Sequence, residues 1–135
     1  MCGIVGRLAW SGAAVDRNLL ARQCDALRHR GPDESGVWVD GPVGLAMRRL
    51  KVVDLVGGQQ PMDNRSCPLR RERPPLRLVY NGEIYNAPVL REQLLARGHR
   101  FQSHSDTEVL LHAVEEWGNS AWERFNGMFA VALYD

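Results

Sequence analysis

The chain has 135 residues, 44% of them hydrophobic and 24% charged, with a formal net charge of +1. These values suggest one globular domain with a real core, and they give no electrostatic case for nucleic acid or an anionic membrane as partner. No apolar run is long enough to span a bilayer, no charged leader precedes a long apolar stretch, and the three cysteines match no zinc spacing, so free thiols in a reducing, cytoplasmic setting are expected.

Cys2 follows Met1 directly. Loss of Met1 places a thiol and a free α-amine on one residue, a nucleophile with a base beside it. Taken singly, Cys2 fits no motif and reads as an ordinary cysteine. Residues 3–10 read as a buried strand carrying Ile4, Val5, Leu8 and Ala9. A turn follows over 11–14. Asp16 caps a helix reaching about Arg28, with Leu20, Cys24 and Leu27 on one face, which makes Cys24 a core residue. Gly31-Pro32 stops that helix. Two strands, 36–39 and 43–49, flank a turn at Asp40-Gly41-Pro42. Alternation along the second puts Val43, Leu45, Met47 and Arg49 on one face and Arg48 on the other. Arg49 then projects a permanent charge from an apolar row and needs a carboxylate, from a structural salt bridge or from a ligand.

Residues 62–76 read as an exposed basic excursion, with Asn64, Ser66, Pro68, Pro74 and Pro75 against regular structure and Cys67 incidental. A solvated loop is the simpler reading, and a docking surface for an acidic partner the other. A strand over 76–80 runs into Asn81-Gly82, a strong hairpin signal. Asn86 caps a helix to Ala96 or Arg97, with Pro88 in the first turn and Gly98 closing it. A short strand is expected over 99–102. Ser105-Asp106-Thr107-Glu108 resembles a capping box opening a helix to Trp117, with Val109, Leu110, Ala113, Val114 and Trp117 inward. Asp106 there is simply a carboxylate near a positive helix end. Residues 127–134 form a last apolar strand. The order fits a layered α+β sandwich with largely antiparallel strands. His99, His104 and His112 form no ligand set by spacing, and no metal is expected.

Cys2-Gly3-Ile4-Val5-Gly6, His29-Arg30-Gly31-Pro32-Asp33, Arg49-Leu50, Asn81-Gly82-Glu83-Ile84-Tyr85-Asn86 and Ser105-Asp106-Thr107-Glu108 need one explanation. In that order they resemble the N-terminal glutaminase domain of glutamine-hydrolysing asparagine synthetases, class II glutamine amidotransferases with an N-terminal nucleophile fold. The resemblance spans Cys2 to Asp135. It implies a four-layer αββα sandwich and hydrolysis of the glutamine side-chain amide to glutamate and ammonia. It gives Cys2 the nucleophile's place, and Asn81 with the Gly82 N–H the oxyanion donors' places. Arg49 matches the residue that holds the substrate carboxylate. Glu83 and Asp106 match those that receive its ammonium, and Val52 and Val53 match positions whose backbone lines the pocket. His29 has no such role, although it tempts a Cys–His reading.

The resemblance also implies partners: glutamine as substrate and a synthetase domain or subunit that takes the ammonia, with no nucleic acid and no membrane. ATP and magnesium are expected only for that synthetase part, and no cofactor for residues 1–135. The chain departs from the family at Met47, where histidine is usual, and in the longer, more basic stretch 62–76. The family's domain continues beyond Asp135 with further strands, so 1–135 is expected to be an incomplete domain whose last strand leaves an edge. Two alternatives stand beside this reading: an amidotransferase serving a peptide or natural-product acceptor, or an inactive truncated module that binds through its basic loop.

Overall fold

The computed structural model describes residues 2–51, 57–70 and 73–135. Two three-stranded antiparallel sheets form its centre. The first orders β1 (Gly3–Leu8), β3 (Val43–Arg49) and β2 (Glu34–Asp40) as β1-β3-β2. The second orders β4 (Met62–Asp63), β5 (Arg77–Ile84) and β6 (Gly127–Tyr134) as β4-β5-β6. Helix α1 (Arg17–Asp25) covers the first sheet, and α2 (Ala87–Ala96) and α3 (Asp106–Trp117) cover the second.

Burial along β3 explains the layering. Every residue from Gly44 to Arg49 is buried, which requires cover on both faces. Ala46 packs in one cluster with Leu20 and Cys24 of α1. Leu45 and Met47, on the opposite face, join Val79 of β5. On β5 the alternation repeats: Val79 faces the first sheet, while Leu78 and Tyr80 join Leu90 and Leu94 of α2 and Leu110 of α3. Three apolar clusters thus fill the three interfaces of an αββα stack, as the sequence leads one to expect. The cluster between the second sheet and α2 and α3 is the largest of the three. Truncating its fully buried Leu110 to alanine is expected to cost about 2–5 kcal/mol, read as a lower urea midpoint at unchanged m-value.

The helix ends follow local chemistry. Asp16 Oδ1 accepts from Asn18 N at 2.8 Å and Leu19 N at 3.2 Å, capping α1. Regular α1 stops at Asp25, short of Arg28, because the chain tightens: Leu27, Arg28 and Arg30 each donate to the carbonyl three residues back. Ser105 Oγ accepts from Glu108 N at 3.3 Å, one arm of the capping box. The other arm is diverted, since the Glu108 carboxylate takes Gln102 N and Ser103 N at 2.8 and 2.7 Å. That diversion also explains why 99–102 is not a strand. The two ends of the segment are held otherwise than by a neighbouring strand, His99 N by the Leu94 carbonyl at 3.1 Å and Gln102 N by the Glu108 carboxylate. Asn86 precedes α2 but makes no side-chain cap, because its amide clamps Arg124 O and Asn126 N at 2.9 Å each.

Three other expectations need correction. β1 ends at Leu8, which is 51% exposed, and Trp10 is 92% exposed, because among the described residues no element covers that end of the sheet's edge strand. The stretch 62–76 is not a wholly solvated excursion. Asn64, Cys67 and Leu76 are buried, and Asn64 closes the loop on itself, its Oδ1 accepting Leu76 N at 2.8 Å and its carbonyl Cys67 N at 2.9 Å. Asn81-Gly82 is not a hairpin turn. Both residues lie inside β5, opposite Ala130 and Phe129 of β6. Pairing that runs the full length of both strands outweighs a two-residue turn preference.

Candidate active site

Cys2 lies at the open end of β1, where β3 ends in Arg49 and β5 carries Asn81. Its backbone N–H donates to Asn81 Oδ1 at 2.9 Å, bridging the two sheets. Since the donor is an N–H, the oxygen of the Asn81 amide must face Cys2, which turns its NH₂ the other way. Leu50 N–H points at the Cys2 sulfur at 3.4 Å, and Arg30 Nε donates to the Cys2 carbonyl at 3.2 Å. The sulfur in turn faces the Leu50 carbonyl at 3.8 Å, so Leu50 backbone fixes its position from both sides. Cys24 and Cys67 are buried elsewhere, and burial pushes both thiols up.

A cavity of about 550 Å³ opens beside this sulfur. Cys2, Arg49, Asn81, Gly82, Glu83 and Asp106 all line it, so the fold gathers these six sequence-predicted residues around one space. Val52 and Val53 lie outside the described residues. His29 is exposed and does not line the cavity. Met47, buried against Val79, gives the cavity an apolar wall.

The charges are fixed by packing. Arg49 is 5% exposed, and its Nη1 pairs with Glu34 Oε2 at 3.0 Å, the cross-strand partner given by the β2–β3 register. Thus a structural carboxylate answers the arginine, while the guanidinium still lines the cavity. Gly58 makes this possible, because a Cβ there would collide with the guanidinium. Arg48, on the other face, binds the carbonyls of Gly31 and Pro32 at 2.9 and 3.1 Å. It thereby ties the His29–Asp33 segment to β3. Asp106 Oδ2 accepts from Tyr80 O–H at 2.7 Å and Ile84 N at 3.0 Å, so it locks α3 to β5 from the helix's first turn. Burial, and then the Asp106 carboxylate, push the Tyr80 hydroxyl well up, so it remains a donor.

Gly82 has a packing reason as well. A Cβ there would strike the Met128 carbonyl and Phe129 Cα of β6. Sequence reasoning missed Gln60, which lines the cavity and bridges its walls. Its Oε1 accepts Tyr80 N at 2.6 Å and its Nε2 donates to Thr107 Oγ1 at 3.3 Å. Nothing in its local sequence marks it beyond the proline that follows.

The lining thus offers a buried guanidinium, a group that suits a carboxylate, and two carboxylates, groups that suit an ammonium. The family model described as a glutamine amidotransferase domain matches residues 1–135. The chain is 43% identical over 136 residues to glutamine-hydrolysing asparagine synthetase 3 of Bacillus subtilis (strain 168), covering all of this chain and 21% of that protein. It is 38% identical over 136 residues to glutamine-hydrolysing asparagine synthetase 2 of Arabidopsis thaliana, covering all of this chain and 22% of that protein. The chain therefore spans about a fifth of the length of the curated relatives it matches. Among solved structures it resembles the glutamine phosphoribosylpyrophosphate amidotransferase of B. subtilis complexed with ADP and GMP, with a TM-score of 0.76 at 22% identity, over 97% of this chain and 34% of that one. That likeness supports the fold. With the whole-length sequence match beside it, the chain belongs to the glutamine amidotransferase domain family.

Proposed function

We propose that this domain hydrolyses the side-chain amide of glutamine, and that the ammonia passes to a synthetase domain or subunit of the asparagine-synthetase type. The observation that carries the proposal is the junction of Cys2 with Asn81 at the wall of a cavity that also presents Arg49, Glu83 and Asp106. In the proposed cycle Met1 is removed, and the freed Cys2 amine takes the thiol proton. The sulfur attacks the amide carbon, and the electron pair moves to the carbonyl oxygen. The Asn81 NH₂ and the Gly82 N–H stabilise that oxyanion. Collapse expels nitrogen, which leaves as ammonia with the proton returned by the amine. Water then attacks the thioester, and glutamate departs. Arg49 grips the carboxylate of the substrate, and Glu83 and Asp106 its ammonium. The volume is within the usual range for a small-molecule site. Three unpaired thiols support a reducing, cytoplasmic location.

The direct test is to supply the chain with glutamine and measure glutamate and ammonia. Intact mass gives the second reading: Met1 absent, and an acyl adduct on Cys2 during turnover. Retention of Met1 in an active chain would remove the proposed base. Within this scheme Arg49→Ala is expected to raise the KM for glutamine by about 10- to 100-fold, the loss of a charge-assisted hold of roughly 1.5–3 kcal/mol. Glu34→Gln, which keeps the guanidinium but weakens its support, is expected to raise KM less. A fall in kcat at unchanged KM in Arg49→Ala would assign that arginine to the chemistry instead.

A further inference from the structure

Away from the cavity, between the buried end of the 62–76 stretch and α3, four side chains converge. They are Cys67, His99, His112 and Glu115, and one ligand atom from each lies within 4.8 Å of all the others. We propose that they bind one zinc ion, which fastens the 62–76 excursion and the α2–α3 connection to α3.

The distances are those of a coordination shell. Zinc bonds of about 2.0–2.1 Å to nitrogen or oxygen and about 2.3 Å to sulfur imply, in a tetrahedron, N···N and N···O separations of about 3.3 Å and S···N of about 3.5 Å. Here His99 Nδ1 and His112 Nδ1 are 3.3 Å apart, Cys67 Sγ and His99 Nδ1 are 3.6 Å apart, and His112 Nδ1 and Glu115 Oε2 are 3.3 Å apart. His99 Nδ1 to Glu115 Oε2 is longer, at 3.8 Å. The site is dry: Cys67 and His99 are each 2% exposed, His112 is 1% and the Glu115 side chain 7%.

Hydrogen bonding alone accounts for this arrangement poorly. Two imidazole Nδ1 atoms at 3.3 Å share one proton at most, and the same nitrogens face the Cys67 sulfur and the Glu115 carboxylate. Glu115 Oε2 faces His112 Nδ1, but among the described residues Oε1 is buried with no partner in hydrogen-bond geometry, a costly state for a carboxylate oxygen unless a cation stands beside it. Each imidazole also directs its far nitrogen at a carboxylate, His99 Nε2 to Glu116 Oε2 at 3.0 Å and His112 Nε2 to Glu108 Oε1 at 3.6 Å. Metal-bound histidines are held in this way, with Nε2–H donated outward and Nδ1 left for the ion.

Four protein ligands with mixed sulfur, nitrogen and oxygen donors in a tetrahedron suit zinc and leave no open position, so the role is structural. Cys67 binds as thiolate with its proton released to solvent, and both histidines bind neutral. None of the four lines the cavity beside Cys2. The proposal thus stands apart from the glutaminase reading, and its test reads metal rather than ammonia.

The experiment uses the full chain, stripped with chelator and titrated with cobalt(II) and then zinc. Expected are a thiolate-to-cobalt charge-transfer band with tetrahedral visible bands, saturation near roughly one ion per chain, and displacement by zinc. The band is lost in Cys67→Ser and kept in Cys2→Ala and Cys24→Ala. Zinc raises the Tm of the parent chain but not of Cys67→Ser, whose far-ultraviolet dichroism matches the parent. A chain that binds no metal, a cobalt spectrum without the charge-transfer band, a band unchanged in Cys67→Ser, or preferential retention of copper or iron would each overturn the assignment.

Discussion

Cys2→Ala is expected to lower glutamine hydrolysis by a factor of about 10⁴ or more, leaving ammonia release near the rate of the chain-free control. The size of the effect follows from the proposed division of labour. One residue supplies both the nucleophile and, through its freed amine, the proton carrier, so its loss removes the covalent route whole. The pocket should survive. Cys2 is only partly buried, and its bond to Asn81 is made by backbone that alanine also possesses. Glutamine binding, read by calorimetry or by substrate-induced rise in Tm, is therefore expected to persist in Cys2→Ala. A chain in which Met1 is retained should lose activity in the same way with its sulfur still present, because a peptide nitrogen is no base. Equal ammonia release by parent and Cys2→Ala would sink the mechanism. Loss of both activity and glutamine binding would place Cys2 in the architecture of the pocket rather than in its chemistry.

Asn81 carries the second large expectation. Its amide oxygen accepts the Cys2 N–H, and its NH₂ is the proposed oxyanion donor. Asn81→Ala removes both and is expected to cost about 10²–10³ in kcat. Asn81→Asp separates them. The carboxylate still accepts from the Cys2 nitrogen, so placement of the nucleophile is retained, but an anion replaces the donor where negative charge develops. Asn81→Asp should therefore lose at least as much kcat as Asn81→Ala, with KM changed little in either. Near-full activity in Asn81→Asp would show that the residue acts by placing Cys2 and that the oxyanion is held elsewhere. Gly82 is a poor probe by comparison. Any Cβ there collides with the β6 backbone, so its substitution damages the sheet as well as the site.

Much of the site was legible because its motifs are local. Cys2, Asn81, Arg49 and Asp106 each sit in a short segment whose residue types resemble a known set, and all four line the same cavity. Their partners were not legible. Arg49 was expected to meet either a structural carboxylate or a ligand, and the choice of Glu34 depends on the β2–β3 register. Gln60 bridges β5 to α3 from a stretch with no periodicity to read.

By itself the sequence determined what is decided within a few residues: the Asp16 and Ser105 caps, the spans of β3, β6 and α3, the alternation that buries the Leu45 and Met47 face of β3, and the order of the motifs. Tertiary structure decided what depends on distant chain. A local turn preference at Asn81-Gly82 yielded to β6, more than forty residues on, because eight paired residues outweigh two. Cys67, His99, His112 and Glu115 met because α3 packs behind β4 and β5 and brings its buried face against the 62–76 stretch. Propensity and capping act over a turn or two of chain. Register and the burial of charge are set only when whole layers close on one another.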